Sequence, residues 1–160
     1  MPAYASTPNV LQRIAALEKR LDQVQRRGNG LADELPVFPT AFNAMPMLDS
    51  TSFITAWETT FAPRTASLSL GLVFLGDQVS STNTGGQWQV LLDGSVVMSG
   101  SVAATYSYQF AAQTLNLGAY QASAGVKLDI QCRRTSGATT GGHFGTGGTI
   151  SIAPRYARLL

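Results

Sequence analysis

Residues 88–98 read Trp-Gln-Val-Leu-Leu-Asp-Gly-Ser-Val-Val-Met. Trp88, Val90 and Leu92 recur with a period of two and run into Asp93-Gly94. That dipeptide is a strong short hairpin signal, because a two-residue turn matching strand twist needs positive φ at both central positions. Val96, Val97 and Met98 then return. The same period continues on either side. Phe53, Thr55, Trp57, Thr59 and Phe61 share one face, as do Leu68, Leu70, Leu72 and Phe74. Tyr106, Tyr108 and Phe110 alternate with Ser107 and Gln109, and Thr114 to Leu117 makes a short strand. Val126, Leu128, Ile130 and Cys132 alternate with Lys127, Asp129, Gln131 and Arg133, and Ile150 and Ile152 mark a last strand before Pro154. The expected fold is mainly β: an antiparallel β-sandwich of about eight strands over residues 51–160. Long links at 76–86 and 135–148 favour a jelly roll over an immunoglobulin-like order, and no Cys-Trp-Cys spacing supports the latter.

Composition agrees. Charged residues make up 12% of the 160 residues, and 16 Gly, 16 Thr and 14 Ser suit strands and turns better than helix interiors. A net charge of +2 is too small to drive binding to a phosphate backbone, so nucleic acid is not an expected partner. Cys132 stands alone, which excludes an internal disulfide. No basic region leads into an apolar run at the N-terminus, and nowhere do about 18 apolar residues stand together. Neither an export signal nor a membrane span is expected.

Residues 1–30 follow another rule. Val10, Ile14, Leu17, Leu21 and Val24 are spaced 4, 3, 4 and 3, a heptad seam with Ile14 and Leu21 at a and the others at d. Asn9 can cap this helix, and Gly28-Asn29-Gly30 can stop it. β-Branched residues at d suit three strands better than two. Arg13-Ile14-Ala15-Ala16-Leu17-Glu18 resembles the trimerisation pattern of short coiled coils, in which the Arg reaches the Glu of a neighbouring chain. A homotrimer is expected, with Val10, Arg13, Ile14, Leu17, Glu18, Leu21 and Val24 at its interface. Residues 31–50, broken by Pro36, Pro39 and Pro46 yet rich in apolar side chains, are expected to be an extended connector along a hydrophobic groove.

Few residues suggest chemistry. His143 is the single histidine, so metal sites and nucleophile–histidine pairs have at most one member, and neither a metal nor a cofactor is expected. A carboxylate dyad would need Glu58 and Asp77 to converge, since Asp93 serves its turn and Asp129 alternates outward. Cys132, Trp57, Trp88, Tyr106 and Tyr108 are expected in the core. No enzyme activity is expected. The segment 135–148, TSGATTGGHFGTGG, is a glycine-rich loop whose large side chains are His143 and Phe144. It lacks the Gly-Lys-Ser/Thr of a phosphate loop. With Tyr120, an aromatic in a second loop, His143 and Phe144 are the candidate ligand contacts.

A short trimeric coil, a proline-broken connector and a Ser-, Thr- and Gly-rich sandwich of low charge together resemble small virion proteins of tailed bacteriophages, of the minor tail, fibre or head-decoration kind. The resemblance implies a structural, non-enzymatic component of the virion, assembled in the host cytoplasm. In such proteins the N-terminal segment attaches to other virion proteins, and the sandwich faces outward, often toward host-surface glycan. The alternative is a trimeric lectin-like or tumour-necrosis-factor-like jelly roll whose purpose is to bind glycan or a receptor.

Overall fold

The computed structural model describes residues 17–18, 33–39, 46–142 and 146–160. The chain divides into two compact units, Met1–Ala32 and Asp33–Leu160. In the first, Leu17 and Glu18 are helical and exposed. The rest of the expected seam, from Val10 through Arg13, Ile14, Leu21 and Val24, lies outside the described residues.

The second unit is an antiparallel β-sandwich. Sheet A contains β1 (Asp33–Glu34), β3 (Met47–Leu48), β5 (Ser67–Gly76), β10 (Gln109–Asn116) and β12 (Ile150–Leu159). Sheet B contains β2 (Phe38–Pro39), β4 (Ile54–Phe61), β8 (Gly85–Leu92), β9 (Ser95–Val102) and β11 (Val126–Ser136). A small hairpin of β6 (Gln78–Val79) and β7 (Thr82–Asn83) stands apart. The pairings are nested: β3 with β12, β4 with β11, β5 with β10 and β8 with β9. Along these eight strands, every link except the β8–β9 hairpin crosses from one sheet to the other. That hairpin turns on Asp93 and Gly94 at φ 46° and 79°, as the sequence requires. The stretch expected as a connector adds β1, β2 and β3 to the two sheets, and Leu35, Val37 and Leu48 pack against the core.

The core takes the alternating positions of both sheets. Leu68, Leu70, Leu72 and Phe74 of β5 meet Trp88, Val90 and Leu92 of β8 and Val126, Leu128, Ile130 and Cys132 of β11. The rings of Phe74 and Trp88 lie 5.6 Å apart across the interior. Burial pushes the Cys132 thiol up to about 12, as befits a small core residue.

Three of the four bulges among the described residues break the simple period expected from the sequence; the fourth is at Thr135, between Arg134 and Ser136. Trp57 pairs with Ile130 but Thr55 with Gln131, so Ala56 is the extra residue. Thr55, expected on the face of Trp57 and Phe61, therefore turns outward and accepts a hydrogen bond from Gln131 Nε2 at 3.0 Å. A second bulge at Val97 puts Met98 into the core. A third lies between Pro154 and Tyr156, where a proline with no N–H is tolerated, and it carries β12 on to Leu159. The expectation that the last strand stops before Pro154 is thus corrected. Beyond the bulge Ala157 and Leu159 point inward.

The expectation that Tyr106 and Tyr108 belong to the core is also corrected. They are 61% and 64% exposed, and Phe110 is 69% exposed. β10 begins only at Gln109, whose side chain accepts from Ala103 N at 2.9 Å and donates to Ala103 O at 3.0 Å. The segment before it is thereby folded into a turn rather than a strand. Phe110 lies on the outer face of an edge strand, opposite Val73.

Candidate functional site

Strand direction sorts the links to two ends. Gly76 faces Ile150, Gly85 faces Ser136 and Gln109 faces Phe74, so the β5–β8, β9–β10 and β11–β12 links gather at one end. The β8–β9 hairpin and the β10–β11 link lie at the other. Tyr120 belongs to that opposite end, on a short 3-10 turn Gly118–Tyr120, half-buried and packed against the core. The fold therefore does not bring Tyr120 together with the glycine-rich loop. His143 and Phe144 lie outside the described residues.

The described parts of the glycine-rich loop are tied down by the chain itself. Arg134 Nη1 donates to the carbonyl of Ala138. Gly148 N donates to that same carbonyl at 2.9 Å, and Gly142 N donates to Thr146 O at 2.6 Å. Thr84, fully buried, explains several of the glycines. A Cβ at Gly148 would overlap its Oγ1, and one at Gly137, whose φ is 120°, would lie 2.7 Å from it. The glycines here make room for a threonine and an arginine. Hydrogen bonds within the chain hold the described part of this loop.

Beside this loop lies a groove of about 510 Å³, lined by Asp77, Gln78, Val79, Ser80, Tyr106, Gly141 and Gly142. Each wall has a cause. Asp77 N donates to Thr149 O at 2.9 Å and Asp77 O accepts from Thr84 N at 2.8 Å, which fixes the start of the β6–β7 hairpin. Asp77 Oδ1 accepts from Gln78 N at 2.7 Å, and Gln78 Nε2 donates to Asn83 Oδ1 at 2.9 Å across that hairpin. The hairpin tip, Ser80-Ser81, has φ of 47° and 68°, a region that favours glycine. Tyr106 stands on the turn that Gln109 holds. An open phenol ring, a carboxylate, an amide and a hydroxyl thus border one hollow. Such a set can stack on the apolar face of a sugar ring and exchange hydrogen bonds with its hydroxyls. The sequence pointed to the glycine-rich loop but missed Tyr106, because alternation with Ser107 reads like a strand.

Glu58 and Asp77, the two carboxylates a dyad would need, do not converge. Glu58 faces Asp129 on the outer side of sheet B, and Asp77 belongs to the loop end. Lys127 Nζ lies 3.0 Å from both Glu58 and Asp129. Its ammonium is held above the usual lysine range by the bonds to Asp129 and then to Glu58. Asp129, expected to alternate outward, does so but is buried beneath this lysine. The described residues contain no group of three or more His, Cys, Asp or Glu side chains able to hold a metal ion, and none of their helices is long and apolar enough to cross a membrane.

No family model matches the chain, and no curated protein matches it in sequence. Among solved structures it is similar to a family 35 carbohydrate-binding module from an environmental isolate. The identity is 10%, the match covers 78% of this chain and 88% of that one, and the TM-score is 0.36. A likeness at that level carries no functional argument.

Proposed function

We propose that this chain is a non-enzymatic structural protein of a tailed-bacteriophage virion, a tail, fibre or head-decoration component that binds host-surface glycan at the loop end of a jelly-roll sandwich. The nested strand pairing supports the jelly-roll reading. The heptad seam supports a homotrimer whose N-terminal segment attaches to other virion proteins. The observation that carries the binding role is the groove in which the exposed ring of Tyr106 meets Asp77, Gln78 and Ser80. An exposed phenol ring can stack on the apolar face of a sugar while the polar groups beside it exchange hydrogen bonds with its hydroxyls.

A glycan-array screen of the full chain tests this, run beside the variant Tyr106→Ala. The expected result is a set of specific hits that the variant loses while keeping its circular dichroism spectrum. An array without hits, or hits that survive the substitution, overturns the binding role. The alternative, a lectin-like jelly roll with no virion behind it, rests on the same groove. Cosedimentation with purified particles, lost on removing residues 1–30, favours the virion reading; a chain that never associates with particles favours the alternative.

A further inference from the structure

The two outer faces of the sandwich differ. On sheet B the side chains are joined to one another: Gln89 Nε2 donates to Gln131 Oε1 at 2.7 Å, Gln131 to Thr55, and Arg133 Nε to Gln87 Oε1 at 2.9 Å while its guanidinium lies 4.7 Å from the Phe53 ring centre. On sheet A the outward side chains around Gly71 are aromatic, small or basic. Tyr156 faces Gly71, and Gly71 faces Ala112. The Tyr156 ring lies over Gly71, where a Cβ would sit 2.7 Å from Cζ and 2.9 Å from Cδ1. Phe110 stands one row away. Together these residues border a groove of about 560 Å³, within the roughly 300–1,000 Å³ typical of small-molecule sites.

The charged residues of this groove are both arginines. Arg158 is engaged: its Nε donates to Glu34 Oε1 at 3.2 Å, and its guanidinium lies 5.4 Å from the Tyr156 ring centre. Arg155 is not. It occupies the β12 bulge, which re-aims its side chain, and it has no ion-pair or hydrogen-bond partner among the described residues. A second, smaller hollow of about 210 Å³ is also lined by Arg155 and Tyr156, so this pair borders both.

We propose that the outer face of sheet A is a second ligand site, for a sugar bearing a carboxylate. Phe110 offers its exposed ring face to the apolar side of a pyranose, and Ala112, beside the Tyr156 ring that covers Gly71, leaves the floor low enough for it to approach. Arg155 supplies a planar fork that matches a carboxylate in two parallel hydrogen bonds. The site shares no residue with the loop-end groove, so either can fail without the other.

The test is calorimetric titration of the full chain with trigalacturonate, with N-acetylneuraminic acid, and with neutral galactotriose. Binding of trigalacturonate alone assigns a uronate, binding of N-acetylneuraminic acid alone assigns a sialic acid, and either supports the site if galactotriose binds at least about tenfold more weakly. Arg155→Gln and Phe110→Ala should each weaken the carboxylated ligand about tenfold or more, and Val96→Ser on exposed β9 should leave it unchanged. Equal affinity for galactotriose, or no binding of either acid, overturns the proposal. A drop in sedimenting mass on Phe110→Ala also overturns it, because a second copy of the chain would then cover this face.

Discussion

The indole Nε1 of Trp57 donates a hydrogen bond to the carbonyl of Ile152, at 2.6 Å, from one sheet of the sandwich to the other. β12 needs it. Its outer edge is paired with β3 only at Ile150–Ser151 and with β1 only at Arg158–Leu159. Between them the strand's free carbonyls must find other donors. Trp57 serves Ile152, and Leu35 N serves Ala157 at 2.8 Å.

Trp57→Phe keeps most of the apolar bulk and removes this donor. The expected cost is about 1–3 kcal/mol, since a part-buried carbonyl loses its partner. Urea denaturation should show a lower midpoint with an unchanged slope. An unchanged midpoint would mean that water replaces the indole at no cost.

The crowding of Thr84 against Gly148 predicts a coupled pair. Gly148→Ala should destabilise the fold by about 1–3 kcal/mol through overpacking. Thr84→Ala should cost little by itself, because Oγ1 is buried without a hydrogen-bond partner among the described residues. In the double variant the loss should be largely recovered. Additive losses in a denaturation cycle would show that Gly148 is needed for something other than room.

How far the sequence could be read follows from these residues. Alternation identified the core positions of β5, β8 and β11, and Asp93-Gly94 identified a turn, because both signals are local. The bulges at Ala56, Val97 and Arg155 were not legible, since an inserted residue reverses parity without any mark of its own in composition. Phe110 misled for a related reason, since period two separates two faces of a strand but only the tertiary fold says which is covered. Tyr106 and Tyr108 misled because a turn held by Gln109, not a strand, carries them. The glycines near Thr84 were visible as composition, while their cause, a side chain more than 50 positions earlier in the sequence, was not.

Cys132 predicts a pH dependence. Its folded pKa, near 12, lies above the ordinary value of 9.0. Below pH 9 both states hold the proton and the thiol favours neither. Between 9 and 12 the unfolded chain gives up its proton while the folded chain keeps it, so stability falls as pH rises, by about 1.4 kcal/mol per unit. Cys132→Ala should be less stable at neutral pH but flatter by that slope. Denaturation of both proteins at pH 8 and 10 checks it, and parallel curves would reject it.

Leu17 is helical and 64% exposed, and the proposed trimer places it in the seam. Leu17→Asp would place three carboxylates in one apolar layer of the proposed trimer, a cost of several kcal/mol per ion before relaxation. Sedimentation equilibrium should show a trimer for the unaltered chain and loss of it for the variant. A dimer in the unaltered chain would contradict the heptad assignment.

The proposed glycan role is tested most directly by a residue-resolved NMR titration of the full chain with a neutral oligosaccharide such as maltotriose or lactose, taken to millimolar concentration. The account predicts saturable shifts at Asp77, Gln78, Ser80, Tyr106, Gly141 and Gly142, with the opposite end around Tyr120 unmoved. No saturable shifts, or shifts centred on Tyr120, would contradict it.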